Sequence, residues 1–446
     1  MPENADRRDE LRALMRPPRW LVAAATALPA VVLVTMVVAH HVDLPYWDEW
    51  DLVPLIAKQR EGTLALRDLW QQHNEHRHVV PLAIELTLAR LSGWNLGWEV
   101  ATSLVLGGVI LAVLAVELRR TLASAGQSVL RGWTLPAIAL LTLSLAQSEN
   151  WMWGWQMSML LNVAAATGGF ALLSRAGGAS LAGALALGVV AVYSFANGGL
   201  YWPLGLLVLA GAVPGAPARR PATLVVWAAA GALTIGSYLY GLRVEGSPAL
   251  ALARPGAYVT YVLGFLGNAV APPSLAPLAG AAGVLLLGLT TARLLAARAR
   301  PLLAFWLAIA LYAVASAAVA GLGRLAQGQA QALAPRYVTF ATPLWIADAV
   351  LLSLCAGGAA RLSRVGARVA ALALALVVLG SVTKSAASVE HYGRWYRLMA
   401  PVRAGMRAGS VPDDAFVARW IYPRPAAVRE RIGVMVRYRL SLFRAP

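Results

Sequence analysis

Residues 20–39 read WLVAAATALPAVVLVTMVVA, and residues 46–51, shortly after, read YWDEWD. The first run carries no ionisable side chain and matches the ~20 residues a helix needs to cross the hydrocarbon of a bilayer. Inside lipid every backbone N–H and C=O must be bonded within the chain, so such a run is read as a membrane-spanning helix. The acidic, aromatic stretch that follows must then lie beside the membrane.

The same alternation continues along the chain. Of 446 residues, 59% are hydrophobic and 13% charged, against about 25% charged in soluble proteins. Apolar runs recur at 20–39, 97–117, 132–147, 156–173, 180–196, 200–214, 222–240, 276–296, 302–321, 338–356 and 367–383. The expected fold is an all-α polytopic membrane protein of about eleven transmembrane helices, with juxtamembrane helices in the first outer loop. Residues 1–19 form a cytoplasmic segment. Residues 20–383 form the transmembrane domain, whose outer loop 40–96 carries the candidate active site, and 384–446 form a short extracytoplasmic tail.

Charge sets the orientation. Arg7, Arg8, Arg12, Arg16 and Arg19 precede the first run, which reads as a first span with its N-terminus in the cytoplasm, not as a cleaved signal. Arg119, Arg120 and Arg131, then Arg175, then Arg219 and Arg220, then Arg293, Arg298 and Arg300, then Arg361, Arg364 and Arg368 all fall on the cytoplasmic side of that arrangement. The apolar stretch 258–271 ends in Pro272-Pro273 and would invert the later loops if it spanned, so it reads as a re-entrant or interfacial helix on the outer side.

The formal net charge is +17, and all but two of the 38 basic residues are Arg (Lys58 and Lys384 are the exceptions). These residues flank the apolar runs as membrane anchors do, which argues against a nucleic-acid partner. The Ala, Leu and Arg bias is that of a GC-rich bacterial genome, so a bacterial inner membrane is expected. A single cysteine, Cys355, permits no intrachain disulfide and offers no metal motif. No internal repeat is visible, which disfavours transporters built of inverted halves.

The polar residues that remain collect on the outer side. Asp48 and Glu49 lie between Trp47 and Trp50, where a carboxylate can serve as general base toward a hydroxyl or hold a divalent cation with a phosphate. Asp51 fits a helix N-cap ahead of Leu52. His73, Asn74, Glu75, His76, Arg77 and His78 follow. On a helix His73, His76 and Arg77 share one face and Glu75 and His78 another. The cluster is open between a metal site, phosphate or sugar binding, and decoration of an interfacial helix. The metal candidates are Asp48, Glu49, His73 and His76, for Mg or Mn.

Glu149, Asn150, Trp153 and Gln156 sit where two spans meet, with Trp151 and Trp155 among them. Carboxylate, amide and indole together suit a sugar, and equally an aromatic girdle. Asn197 with Gly198 and Gly199 permits close backbone approach. Arg336 and Tyr337 open a late span, where a guanidinium can grip a phosphate bidentately or reach lipid headgroups. Arg324, Gln327, Gln329 and Gln331 precede them, and Asp348 falls inside a span. His391 to Arg397 reads as an interfacial helix beyond the last span.

This pattern resembles the GT-C class of integral-membrane glycosyltransferases, which use a polyprenyl-phosphate sugar as donor. The resemblance rests on the number of spans and on the acidic first outer loop. Asp48-Glu49 is similar to the Asp-Glu pair that protein O-mannosyltransferases carry in that loop. It implies Asp48 as catalytic base with Glu49 beside it, and Arg336, by location, as phosphate ligand. The chain also resembles a set of bacterial membrane proteins with His-Asn-Glu-His-Arg in this loop and Arg-Tyr near a late span. A triple-His cluster beside the acid is a departure from the usual GT-C pattern.

The expected function is transfer of a sugar from a polyprenyl-phosphate donor, at the extracytoplasmic face, to a hydroxyl of an acceptor glycan, lipid or protein. The partners are then the lipid-linked sugar, its acceptor and membrane lipid. The rivals are a transporter or flippase of lipid-linked glycans, a ligase or polymerase acting on them, and a non-catalytic membrane partner.

Overall fold

A computed structural model describes residues 17–125, 131–175, 178–243, 248–360 and 362–444. Arg7, Arg8, Arg12 and Arg16 of the N-terminal segment, and Arg361, lie outside the described residues. The rest is mainly helical. The principal helices are α1 (Arg19–His40), α2 (Leu52–Glu61), α3 (Val79–Ser92), α4 (Leu96–Ser124), α5 (Arg131–Thr142), α6 (Met157–Leu173), α7 (Gly178–Ser194) and α8 (Tyr201–Leu209). They continue with α9 (Pro221–Leu239), α10 (Pro255–Gly267), α11 (Ala276–Ala296), α12 (Ala304–Arg324), α13 (Val338–Ala356), α14 (Arg364–Arg407), α15 (Asp414–Trp420) and α16 (Pro425–Tyr438).

Eight of these are long and apolar enough to cross a membrane: α1, α4, α6, α9, α11, α12, α13 and α14, with α6, α12 and α13 counted together with the 3-10 turns adjoining them. Their outer faces stay apolar where no protein covers them. Val38 is 73% exposed, Leu233 75% and Leu278 71%. Water would penalise such faces and lipid would not. The described residues therefore form an all-helical fold of membrane type.

The count of eleven long spans is not what the structure gives. Runs 132–147, 180–196 and 200–214 form helices of 12, 17 and 9 residues. At 1.5 Å per residue α8 covers only ~14 Å, about half a hydrocarbon core. α5 stops at Thr142 because the Ser144 hydroxyl accepts the Ala146 N–H and opens a new 3-10 turn. α10, with 13 residues, is also short, and it packs back against α11.

α13 is the central helix. The whole of its apolar window is buried, with α5, α11, α12 and α14 packed around it. A mostly apolar helix with no continuous polar face belongs in the middle of a bundle, since it has none to turn outward. Outside it the polar contacts sort into two ends. At one, Glu117 holds Arg175 (2.7 Å) and Arg120 (3.3 Å), and Trp306 Nε1 donates to Thr121. At the other, Arg77 Nε donates to the Tyr238 carbonyl (2.9 Å), and Arg324 and Arg336 pair with Glu75 and Glu149.

The helix that carries the last apolar run does not end near 383. α14 runs unbroken for 44 residues, ~66 Å of helix, with Pro401 inside its last turns. Its outer part carries His391 and Trp395, and beyond it the chain turns back. Val417, Ile421, Val428 and Met435 then pack with Trp50, Val53, Ile56 and Leu86 in a second buried core, separate from that of the bundle. The first loop and the C-terminal tail, far apart in sequence, thus form one small cap over the end that bears Glu149 and Arg336.

Candidate functional site

The cap and the bundle enclose a cavity of about 740 Å³. Its floor comes from the turn before α6 and from the start of α13, its wall from residues 46–51 and 72–78, and its roof from Tyr422, Pro423 and Arg424. Of the expected residues, Asp48, His73, His76, Glu149, Trp153, Gln156, Arg336 and Tyr337 line it. Glu49, Glu75, Arg77, Asn150 and Asn197 do not.

Residues 73–78 are not helical. His73 and His76 exchange backbone hydrogen bonds (2.9 and 3.0 Å) across a tight turn, with Asn74 at φ +49. Asparagine tolerates that conformation better than most residues. Helical face-sharing therefore does not hold. The turn instead presents His73, His76 and His78 to the same chamber, while Glu75 faces away and pairs with Arg324.

His73 lies between two carboxylates. Its Nε2 is 3.3 Å from Asp48 Oδ1 and its Nδ1 3.8 Å from Asp51 Oδ2. Asp51 does not cap α2 with its side chain. Its Oδ1 accepts from the Tyr422 hydroxyl (2.6 Å) and pairs with Arg431 (2.9 Å), so the tail pulls on one oxygen and leaves the other toward His73. Asp48, Asp51 and His73 bring ligand atoms within 4.8 Å of one another. The two carboxylates are donors of the kind Mg and Mn take, while an imidazole is more often a ligand of softer metals such as Zn or Fe. Glu49 and His76 are not in this group. Trp47, next to Asp48, sits at φ +46 with its N–H on the Ile421 carbonyl (2.7 Å). A bulky residue there is strained, and the tail holds it.

The other two histidines are buried. His78 Nδ1 is 3.0 Å from the Ser194 carbonyl. A carbonyl only accepts, so Nδ1 carries the hydrogen and Nε2 keeps its lone pair. Burial pushes the His78 imidazole down to about 4, and holds His76 well below the usual range. Both rings are then neutral near pH 7. His76 also stacks on Phe195, centroids 4.0 Å apart.

Glu49 is separated from the chamber. It is 2% exposed and accepts the Tyr46 N–H at 2.8 Å. It sits behind Gly154: a Cβ on that glycine would meet Glu99 Oε2 at 2.3 Å and Glu49 Oε1 at 3.1 Å. Burial pushes the Glu49 carboxyl up to about 8, which leaves it mainly protonated at neutral pH. Adjacent Asp48 faces the cavity instead. Neighbouring residues on a 3-10 turn point in different directions, so the Asp-Glu pair is divided between wall and interior.

On the far wall Arg336 Nη1 pairs with Glu149 Oε2 at 2.7 Å. Asn150 donates to the Arg336 carbonyl (2.9 Å) and to Thr339 Oγ1 (2.5 Å), so it positions the 3-10 turn that bears Arg336 and does not itself reach the chamber. Arg77 is consumed structurally, its guanidinium donating to the carbonyls of Trp70, Tyr238 and Tyr240. Trp151 is buried with Nε1 on the Ser144 carbonyl, whereas Trp153 and Trp155 line the chamber. Tyr422, Arg424 and Arg431 had no local signal in the sequence; only the folding back of the tail brings them here.

A second cavity of about 370 Å³ adjoins the first and shares His76, Phe195, Arg324 and Tyr337 with it. Its other walls are apolar side chains of α7, α9, α10 and α12, among them Val192, Ile235, Leu239 and Phe265. Glu75 and Asn197 face this cavity. Gly198 makes the turn there, since a Cβ would stand 2.1 Å from the Ala191 carbonyl oxygen. No protein-family model, curated protein or solved structure matches the chain.

Proposed function

We propose that this chain is a membrane glycosyltransferase of GT-C type. It would sit in a bacterial inner membrane with its N-terminus in the cytoplasm and the chamber outward. It moves a sugar from a polyprenyl-phosphate donor to a hydroxyl of an acceptor glycan, lipid or protein. The observation that carries this reading is the junction of the two cavities. One is polar and bears a carboxylate, imidazoles and guanidinium groups; the other is apolar and lies among the spans; they meet at His76, Phe195, Arg324 and Tyr337. A donor with a charged head and a hydrocarbon tail divides its chemistry in the same way.

In this reading the acceptor oxygen attacks the anomeric carbon. The bond from that carbon to the phosphate oxygen breaks, and its electron pair stays on the phosphate, which leaves as polyprenyl phosphate. Asp48 takes the hydroxyl proton. Arg336 offsets the charge that grows on the leaving phosphate. A divalent cation held by Asp48, Asp51 and His73 would supply further charge to that phosphate. The neutral imidazole of His78 offers Nε2 as an acceptor to a sugar hydroxyl.

A transporter of lipid-linked glycans is the second reading. Asp348 favours it, being wholly buried in α13 with both oxygens unpartnered among the described residues. Both readings are tested with purified protein in nanodiscs and a panel of radiolabelled polyprenyl-phosphate sugars, with Mg, Mn or neither. Turnover by wild type that is lost in Asp48→Asn supports the transferase. An Asp48→Asn variant as active as wild type removes Asp48 as base. Movement of intact donor between leaflets without turnover turns the assignment to transport.

A further inference from the structure

A third cavity, of about 350 Å³, lies between the short helix Ser148–Met152 and the outer part of α14. Ser148, Glu149, Trp153, Tyr46, His391 and Trp395 line it. Tyr46, Glu149 and Trp153 also line the central chamber, so the two spaces share a wall. The proposed reaction gives this cavity no occupant, because the donor's head and tail are placed in the other two.

Its chemistry narrows the ligand. The lining carries no Lys and no Arg, and its one formal charge is the Glu149 carboxylate, so an anionic group is disfavoured. A hydrocarbon tail would set apolar surface against the Ser148 hydroxyl, the His391 imidazole and the Glu149 carboxylate, of which, among the described residues, only Glu149 already has a partner, Arg336. Three aromatic rings are set as platforms. The Tyr46 ring stands edge-on to Trp395 (centroids 4.5 Å apart, planes at 78°) and to Trp153 (5.1 Å, 75°), which fixes both indoles. Trp153 is 8% exposed, and its buried Nε1 has no hydrogen-bond partner among the described residues. A buried indole N–H without an acceptor is costly, and a ligand oxygen that reached it would remove that cost. Rings for an apolar face, together with donors and acceptors for hydroxyls, describe a neutral polyhydroxylated ring.

Position fits as well. His391 and Trp395 lie beyond the apolar stretch 367–383 on the same unbroken helix, ~12–18 Å past its end. That is the headgroup level, where a glycan meets the protein from lipid or from solution. Glu149 Oε2 is held by Arg336, while the carboxylate also faces this cavity. A hydroxyl bound there would stand at the boundary of the chamber.

We propose that the cavity between Ser148–Met152 and α14 is an acceptor subsite for a pyranose ring, stacked at Trp395 and hydrogen-bonded at Trp153 and Glu149. This rests on the transferase reading for its role as acceptor, though the binding of a sugar does not.

Saturation-transfer NMR on the full chain in nanodiscs tests it. The free probes are methyl α-mannopyranoside, methyl β-glucopyranoside and methyl β-galactopyranoside. The membrane probe is an undecaprenyl-pyrophosphate disaccharide built into the disc. Wild type should show transfer to ring protons of at least one probe. Trp395→Ala should weaken that binding about tenfold, and Trp395→Phe should hold it within about threefold. Ser148→Tyr, which fills the cavity from the opposite wall, should weaken it as Trp395→Ala does. Binding of the free glycosides alone, or of the lipid-linked disaccharide alone, supports the subsite and names its source. No transfer to any probe overturns it, as does binding that neither Trp395→Ala nor Ser148→Tyr alters. Donor turnover by wild type is measured separately. Trp395-dependent sugar binding with no turnover of any donor, by water or by the bound sugar as acceptor, keeps the sugar site and sinks the transferase.

Discussion

Arg336 and Glu149 form an ion pair, Nη1 to Oε2 at 2.7 Å, across the wall of the chamber. Each side chain is about a quarter to a third exposed (24% and 31%), so the pair is open to competition from a bound anion. A phosphate in the chamber would take the guanidinium from Glu149 and offer it two oxygens instead of one. Arg336→Ala should weaken the binding of polyprenyl phosphate in nanodiscs ~10–100-fold, with Arg336→Lys intermediate. Glu149→Gln, which removes the competing charge, should tighten phosphate binding severalfold. Equal affinity in all four proteins would show that Arg336 is an anchor of the fold and not a ligand.

The proposed divalent-cation site consists of His73 and its two carboxylates, Asp48 and Asp51. Mn titration followed by electron paramagnetic resonance should find one site, weakened at least ~10-fold in His73→Ala and in Asp51→Asn. Glu49→Gln, behind the wall, should leave that affinity unchanged.

The burial of Glu49 makes the cap sensitive to pH, and the sign follows from the direction of the shift. Burial raises this carboxyl from its ordinary value to about 8, so between about pH 4.5 and 8 the folded protein holds a proton that the unfolded chain has released. Its contribution is fully present below that window and is lost as pH rises through it. Thermal unfolding in nanodiscs should show the melting temperature falling from pH 5 to pH 9. Glu49→Gln should flatten part of that fall. Glu85, raised by burial and by the charge of Glu49, accounts for some of the remainder.

The tail is held by charge at Asp51 and by apolar packing around Val428, which is fully buried. Val428→Asp places a carboxylate in that core, and the tail should release before the charge is accommodated. Hydrogen exchange should then lose protection in 425–438 and 52–61 together, with the spans unaffected. Loss in the tail alone would mean that the cap does not behave as one unit.

Gly154→Ala tests the wall between Glu49 and the chamber. Its Cβ would fall 2.7 Å from the Glu99 Cβ, and a clash between fixed groups costs ~1–3 kcal/mol. The expected result is a lower melting temperature at every pH, in contrast to the pH-dependent effect at Glu49.

The distribution of polar residues was legible because lipid leaves few alternatives. An unpaired backbone or charge in hydrocarbon is so costly that WLVAAATALPAVVLVTMVVA could hardly be anything but a spanning helix, and Asp48, His73, Glu149 and Arg336 had to gather at its ends. Helix length was less legible. Hydropathy reads residues 200–214 as apolar whether the helix runs through them or stops at Leu209, because a helix enclosed by protein need not reach both interfaces.

Roles within the cluster were decided by distance, which the sequence does not encode. Asp48 and Glu49 are adjacent and chemically alike, yet one lines the chamber and the other is buried behind Gly154. Arg77 and Arg336 both read as groups that can hold a phosphate, yet three carbonyls take up the first. Tyr422 and Arg431 lie some 370 residues from Asp51, and no periodicity or motif links them. The amino-acid sequence by itself determined which groups must avoid lipid, since that depends on each residue's own solvation. Which of those groups meet in one chamber was decided only by the tertiary structure, since that depends on contacts between segments far apart in the chain.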